Sequence, residues 1–179
     1  METEQQLLQR IHQGDRRAQR TLYDRFAPLA MAQAMRLVAN RSTACDVLQE
    51  SFVKILTSVA RFQYRGEGSL RAWVMSIVSH VAIDWLRANQ RLTLTSELPY
   101  DVPDEEPDVG SVPMEVLQRM IESLPDGYRT VFCLYVFDRK SHKEIAQALG
   151  IKENSSASQF LRAKRVLANM IKNYQRQQQ

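Results

Sequence analysis

The feature that most limits the possible folds is a proline-rich acidic strip in the middle of the chain. Residues 97–108 carry six acids (Glu97, Asp101, Asp104, Glu105, Glu106 and Asp108) and no base. Pro99, Pro103, Pro107 and Pro113, four of the six prolines, fall in or beside them. Proline fixes φ, lacks an amide hydrogen and pushes the residue before it out of the helical region. The stretch ELPYDVPDEEPDVGSVP therefore reads as an extended, exposed linker over residues 97–112. No single core continues through such a segment, so the chain is expected to divide into one module of residues 1–96 and another of residues 113–179. Charge divides in the same way: residues 1–96 hold 13 Lys/Arg against 8 Asp/Glu, and residues 109–179 hold 11 against 6. Two cationic blocks either side of an anionic strip point to two modules that both meet a polyanion.

Composition removes several other classes. At 44% hydrophobic and 25% charged, the 179 residues are those of an ordinary globular protein, neither disordered nor fibrous. The longest apolar run, Val131 to Phe137, is far too short to span a bilayer, so no membrane insertion is expected. The opening METEQQLLQRIHQGD has neither an apolar core nor a small-residue cleavage site, so it is not read as a secretory signal. Cys45 and Cys133 are isolated, and the three histidines lie away from metal-ligand spacing. A disulfide scaffold and a metal module are thus unexpected, and a reducing cytoplasm is the expected compartment. None of the six glycines forms a phosphate-cradling loop, and no cofactor is expected. With no clustered carboxylate pair and no activated nucleophile, the chain reads as a binding protein, not a nuclease or other enzyme.

Both modules read as helical, giving an all-α protein. In the first, helices are expected over about Glu2 to Gln13 and Asp15 to Ala39, the second with a bend near Pro28. Thr43 and Asp46 read as a capping pair for a third helix. Leu48, Phe52, Ile55 and Val59 give that helix a buried stripe, with Asp46, Gln49, Glu50 and Lys54 opposite. Periodicity alone makes this polar face a solvated one carrying a Glu50–Lys54 pair. Gly66 and Gly68 then break the chain, with Ser69 available as an N-cap. In the helix that follows, Trp73, Ile77, Val81, Asp84 and Trp85 are flanked by Arg61, Arg65, Arg71, Arg87 and Arg91. Aromatics among arginines suit single-stranded nucleic acid, where bases stack on rings and cations hold phosphates. A tryptophan at helical spacing is usually core, so Trp73 and Trp85 are expected to be mainly packing residues.

The second module carries the more specific pattern. Ser141 to Glu144 form an S-x-x-E capping box, Ile145, Ala146 and Leu149 give a short apolar face, and Gly150 closes the helix. Asn154 or Ser155 can cap the next helix, completing a helix-turn-helix. That longer helix shows an expected core stripe at Ser156, Phe160, Ala163, Leu167, Met170 and Tyr174. Ser155, Ser158, Gln159, Arg162, Arg165, Asn169 and Lys172 make up the other surface. Short donors ahead of arginines suit a recognition helix in the major groove.

In order and spacing, ACDVLQESFVKIL, F-x-YRGEGSLRAWVMSIVSHVAIDWLR, the acidic linker, LPDGYRTVF and SHKEIAQALGIKENSSASQFLRAKRVL resemble an extracytoplasmic-function (ECF) RNA polymerase sigma factor. The resemblance runs from about Asp15 to Leu167. It implies a sigma region 2 helical bundle over 1–96 and a region 4 helix-turn-helix over 113–179, joined by the linker over 97–112. It also implies core RNA polymerase and promoter DNA as partners, and family members are often held by an anti-sigma factor. On this resemblance Asp46, Gln49 and Glu50 dock on the β′ clamp helices, and region 4 meets the β flap. Phe62, Tyr64, Arg65, Ser69, Arg71, Trp73, Ser76, His80, Asp84 and Arg87 correspond to the part that melts and reads the −10 element. Ser141, Lys143, Asn154, Ser155, Ser158, Gln159, Arg162 and Arg165 correspond to the −35 reader. The chain departs from the usual pattern in having Ser79 and His80 where Arg and Asn are common. Arg139 and Lys140 replace a Gly-aromatic pair, Ser156 replaces an aliphatic residue, and Leu161 stands at an often polar position. The main alternative is a stand-alone helix-turn-helix transcriptional regulator, which leaves the first module without a purpose.

Overall fold

The computed structural model describes residues 2–89 and 109–178. Among these are eight α-helices, two short 3₁₀ turns and no strand. They form two compact units, Met1–Trp85 and Leu86–Gln179. Residues 97–108 of the expected linker, and Arg91, lie outside the described residues. Val109–Ser111 form a 3₁₀ turn, and Val112 is buried.

In the first unit, α1 (Glu4–His12) starts at a capping box in which Thr3 and Gln6 satisfy each other's backbone amides. Its Leu7, Leu8 and Ile11 are buried. Helix α2 (Arg16–Val38) is capped by Asp15 and continues through Pro28. Its buried positions Ala18, Leu22, Phe26, Ala30, Ala34 and Leu37 recur every three or four residues, and the alanines keep that face slim. Ala39 closes it in the left-handed region at φ 49°, and the chain turns at once into α3 (Arg41–Ser58). The cap of α3 is Asn40, whose side chain accepts from the Thr43 amide, so Thr43 lies inside the first turn and is not the cap. The buried stripe of α3 also differs from the expected one. Ala44, Val47, Ser51 and Ile55 are its axis with Phe52 beside them, and Leu48 is only half-buried. Ser51 fits this stripe because its hydroxyl donates 2.6 Å back to the Val47 carbonyl.

A 3₁₀ turn (Val59–Arg61) and a loop lead into α4 (Ser69–Ala88). Val74, Val78, Val81 and Ala82 are buried there. Gln33 of α2 reaches across to donate to the Met75 carbonyl at 3.1 Å and to the hydroxyl of Ser79, which is fully buried. The expected Ser69 cap is not what starts α4. Its amides go to a carboxylate from the other end of the module: Glu4, only 2% exposed, accepts from Gly68 (2.9 Å), Leu70 (3.0 Å) and Arg71 (3.1 Å).

The second unit contains α5 (Met114–Glu122), α6 (Asp126–Val136), α7 (His142–Leu149) and α8 (Glu153–Gln177). Leu124, Ala163 and Leu167 are the centre of one cluster, with Met120, Ile121, Tyr128 and Phe132 against it. The tight α5–α6 junction exposes carbonyls that need donors. Arg129, 2% exposed, supplies them: its guanidinium donates to Glu122 O (3.2 Å) and Leu124 O (2.7 Å) and pairs with Asp126. Replacing Arg129 by Met keeps the apolar stem but strands these acceptors, and should cost about 2–4 kcal/mol. A urea-unfolding series would read this directly, and a loss under about 0.5 kcal/mol would show that the junction closes without the guanidinium.

Candidate nucleic-acid interface

Three surfaces hold the residues singled out in the sequence. On α3, Asp46, Gln49 and Glu50 all lie on the exposed side, one turn apart. Glu50 and Lys54 form an ion pair at 2.7 Å, as the i,i+4 spacing predicts, worth about 0.3–0.5 kcal/mol at an exposed site. The sequence reading missed Val53, which is 63% exposed among these polar groups. The signal was an apolar residue on an otherwise polar helical face.

The second surface starts where the 3₁₀ turn runs into the loop. Phe62 and Trp73 meet at a centroid distance of 5.0 Å with planes 40° apart. Together with Arg61, Gln63, Arg65 and Ser69 they line an open recess of about 470 Å³. Trp73 and Trp85 are both half-buried. Trp73 thus packs on Phe62 and still presents surface to the recess. Gly66 and Gly68 take φ of 119° and 87°, conformations that a side chain would strain. The Ser69 hydroxyl accepts from the Arg65 amide (3.2 Å) and donates to the Gly66 carbonyl (2.6 Å), closing the loop instead of capping α4. Tyr64 donates to Glu67 at 3.3 Å, and desolvation followed by the Glu67 charge holds its phenol above the ordinary range. Beyond the recess, Trp73, Ser76, His80 and Asp84 step by three, four and four along one side of α4, and Arg87 continues the row in the last turn. Arg71, His80, Asp84 and Arg87 are exposed, and Ser76 is half-buried with its hydroxyl on the Trp73 carbonyl (2.7 Å).

The third surface is the helix-turn-helix. Its capping box is present as expected: the Glu144 amide donates to the Ser141 hydroxyl, and the Ser141 amide donates to Glu144 at 2.8 Å. Gly150 closes α7 at φ 67°. Helix α8 begins at Glu153, after Lys152, which makes no side-chain cap bond, so Asn154 and Ser155 lie in the first turn and do not cap it. Ser141, Lys143, Asn154 and Arg165 are exposed, and Ser155, Ser158 and Arg162 are half-buried. Gln159 differs from them in being buried, at 1% exposure. Of the expected stripe on α8, Ser156, Ala163 and Leu167 are buried and Phe160, Met170 and Tyr174 are half-buried, while Gln159 and Ile171 complete the buried face. Ser156 tolerates burial because its hydroxyl sits 3.0 Å from Nδ1 of His142. The His142 ring stacks on Tyr135 at 4.6 Å and also contacts Phe160. Leu161 is 47% exposed.

A bundle with an aromatic, arginine-edged recess and a separate helix-turn-helix define a two-module DNA-reading protein. Comparison with known families narrows the class. The Sigma-70 region 2 family model matches residues 22–92, and the Sigma-70 region 4 model matches residues 114–167. The ECF RNA polymerase sigma-E factor of Haemophilus influenzae is 28% identical over 183 residues, covering 94% of this chain and 95% of that protein. The RNA polymerase sigma factor YlaC of Bacillus subtilis is 30% identical, covering 72% and 78%. Among solved structures, the sigma factor RpoE of Bartonella quintana, in complex with the anti-sigma factor NepR, matches the fold at a TM-score of 0.54 and 19% identity, over 86% of this chain and 96% of that one. The chain belongs to the ECF-type RNA polymerase sigma factors. It binds core RNA polymerase and directs promoter-specific initiation of transcription through its −10 and −35 readers. Sigma factors act as initiation factors, not as enzymes. No helix among the described residues is long and apolar enough to cross a membrane.

The capping box gives the reading helices a pH dependence. Bonds from the Ser141 hydroxyl, then from its amide, hold the Glu144 carboxyl below its ordinary 4.5. A folded-state value below the unfolded one adds stability that is complete above the ordinary value and is lost as pH falls through the folded value. Acidification below about pH 4.5 should therefore loosen α7, and Ser141→Ala should flatten that dependence. Helicity followed through a pH titration of both proteins checks it; parallel curves would remove the capping box as the cause.

Proposed function

We propose that the three surfaces divide the work of initiation as follows. The exposed side of α3, with Asp46, Gln49 and Glu50 around Val53, docks on the β′ clamp helices. The apolar side chain gives this contact a dry centre, and the polar rim supplies specificity. The region 4 module meets the β flap and reads the −35 element with Asn154, Ser155, Ser158, Arg162 and Arg165, while Ser141 and Lys143 contact its backbone. Gln159 is left out of this reader because it is buried.

The Phe62–Trp73 recess captures a base of the non-template strand in the −10 element. Arg65 and Ser69 line it, Tyr64 and Arg71 adjoin them in sequence, and Ser76, His80, Asp84 and Arg87 follow the strand along α4. Capture of an unstacked base offsets an unpairing cost of a few kcal/mol, so the duplex opens without ATP and the protein performs no catalysis. The reading is supported above all by this recess, where two rings in contact share the lining with Arg61 and Arg65. The protein works in the cytoplasm with core polymerase, and, like the relative solved with NepR, takes an anti-sigma factor as a further partner.

Replacing Gln49 and Glu50 together by lysine should abolish co-elution with core polymerase while leaving the helical content unchanged. Retained co-elution would refute the docking face. On a promoter, Arg162→Ala should weaken −35 binding by about 1–3 kcal/mol with relaxed sequence preference if it touches a base, or evenly across sequences if it touches phosphate. Unchanged affinity would take this side chain out of the interface. Gel shift separates the alternative regulator: tight duplex binding by the chain alone, without polymerase, would favour it.

A further inference from the structure

The Glu4 carboxylate is a buried charge that none of the three surfaces uses. It stands on the first residue of α1, and α1 is anchored by Leu7, Leu8 and Ile11 in the core and by the Thr3–Gln6 capping box at its start. Its two oxygens take the amides of Gly68, Leu70 and Arg71 at 2.9–3.1 Å. Those amides are the end of the loop and the first turn of α4, the segment that joins the two walls of the recess. One wall, Phe62 to Arg65, precedes them, and the other, Trp73, follows within one turn.

A second tie runs between the same elements. The Arg25 guanidinium donates to the Glu2 carbonyl at 3.1 Å and lies 3.8 Å from the Glu67 carboxylate, so α2 holds the start of the chain and the loop together. Other bonds of the loop are internal, from Tyr64 to Glu67 and among Arg65, Gly66 and Ser69. The two glycines give the backbone freedom that only outside contacts can take away. Glu4 also fills the anion site that a helix N-terminus with free amides would offer a phosphate. The strand's phosphates are thereby left to Arg61, Arg65 and Arg71.

We propose that Glu4 is a positioning residue for base capture. Through three amides it fixes the height and direction of the first turn of α4, and with it the opening between Phe62 and Trp73. It does not touch the DNA. The inference rests on the recess being the −10 site, and its test keeps the two apart.

The test uses the full chain loaded on core polymerase and three variants: Glu4→Ala, Glu4→Gln and Trp73→Ala. Readouts are affinity for a single-stranded −10 oligonucleotide, promoter opening by a fluorescent base analogue, core affinity, and amide exchange at Gly68, Leu70 and Arg71. Glu4→Ala should expose those amides to exchange and weaken capture and opening by about tenfold, with core affinity within about twofold. Glu4→Gln keeps the shape and one acceptor oxygen, and should fall between the two. Faster amide exchange with unchanged capture would overturn the inference, since the cap would then be structural only. Capture lost only in step with core affinity, in the Gln variant as in the Ala, would overturn it as well. Trp73→Ala with undiminished capture would instead overturn the recess as the site, and the role of Glu4 with it.

Discussion

Short helices joined by tight turns leave backbone groups that water cannot reach, and in both modules a buried charge meets them. Glu4 accepts three amides at the start of α4, and Arg129 donates to two carbonyls at the end of α5. A buried charge is costly unless hydrogen bonds surround it, and an unsatisfied buried amide or carbonyl costs about 1–3 kcal/mol. Each group therefore removes the other's penalty. The ends that are fixed in this way adjoin the proposed DNA-reading surfaces. Glu4 sets the helix that carries Trp73, and Arg129 sets the junction from which α6 leads to the helix-turn-helix.

The same logic explains how polar residues entered the interior of the reading modules. Ser156 stands where an aliphatic side chain is usual, and a lone buried hydroxyl would be unfavourable. His142 lies across from it, bonds it at 3.0 Å, and covers it with a ring stacked on Tyr135. Ser79 shows the pattern again: fully buried on α4, it receives the Gln33 amide of α2. These bonds add direction to packing that apolar contacts would leave free to slide.

Much of this was legible in the amino-acid order, and the losses have a common cause. The four helices of the first module, the exposed side of α3 and the α7 capping box followed from periodicity and local spacing, because each depends on residues within one or two turns. Expectations failed where the partner was elsewhere or the pattern was degenerate. Ser69 looked like the cap of α4, but the cap comes from Glu4, more than sixty residues away. Thr43 and Asn40 can both cap, and local sequence does not decide between them. Gln159 looked exposed because a glutamine on a helix is usually outside, yet it joins Ser156, Ala163 and Leu167 in the buried face of α8. Val53 went unremarked for the opposite reason, an apolar residue on a polar face being easily passed over as noise.

Strength and selectivity are divided among the surfaces in a way that follows from charge. Phosphate contacts are blind to sequence and weaken steeply with salt, so two modules of modest positive charge, acting separately, hold any DNA loosely. On the docking proposed for α3, Val53 adds an apolar contact that does not share that salt dependence. Once both modules ride on polymerase, the second binding event is intramolecular, and two weak readers act as one selective reader. A tighter helix-turn-helix would hold the protein on duplex DNA without polymerase. The half-buried arginine and the short hydroxyl donors on α8 therefore suit a reader whose affinity must be borrowed from a larger assembly.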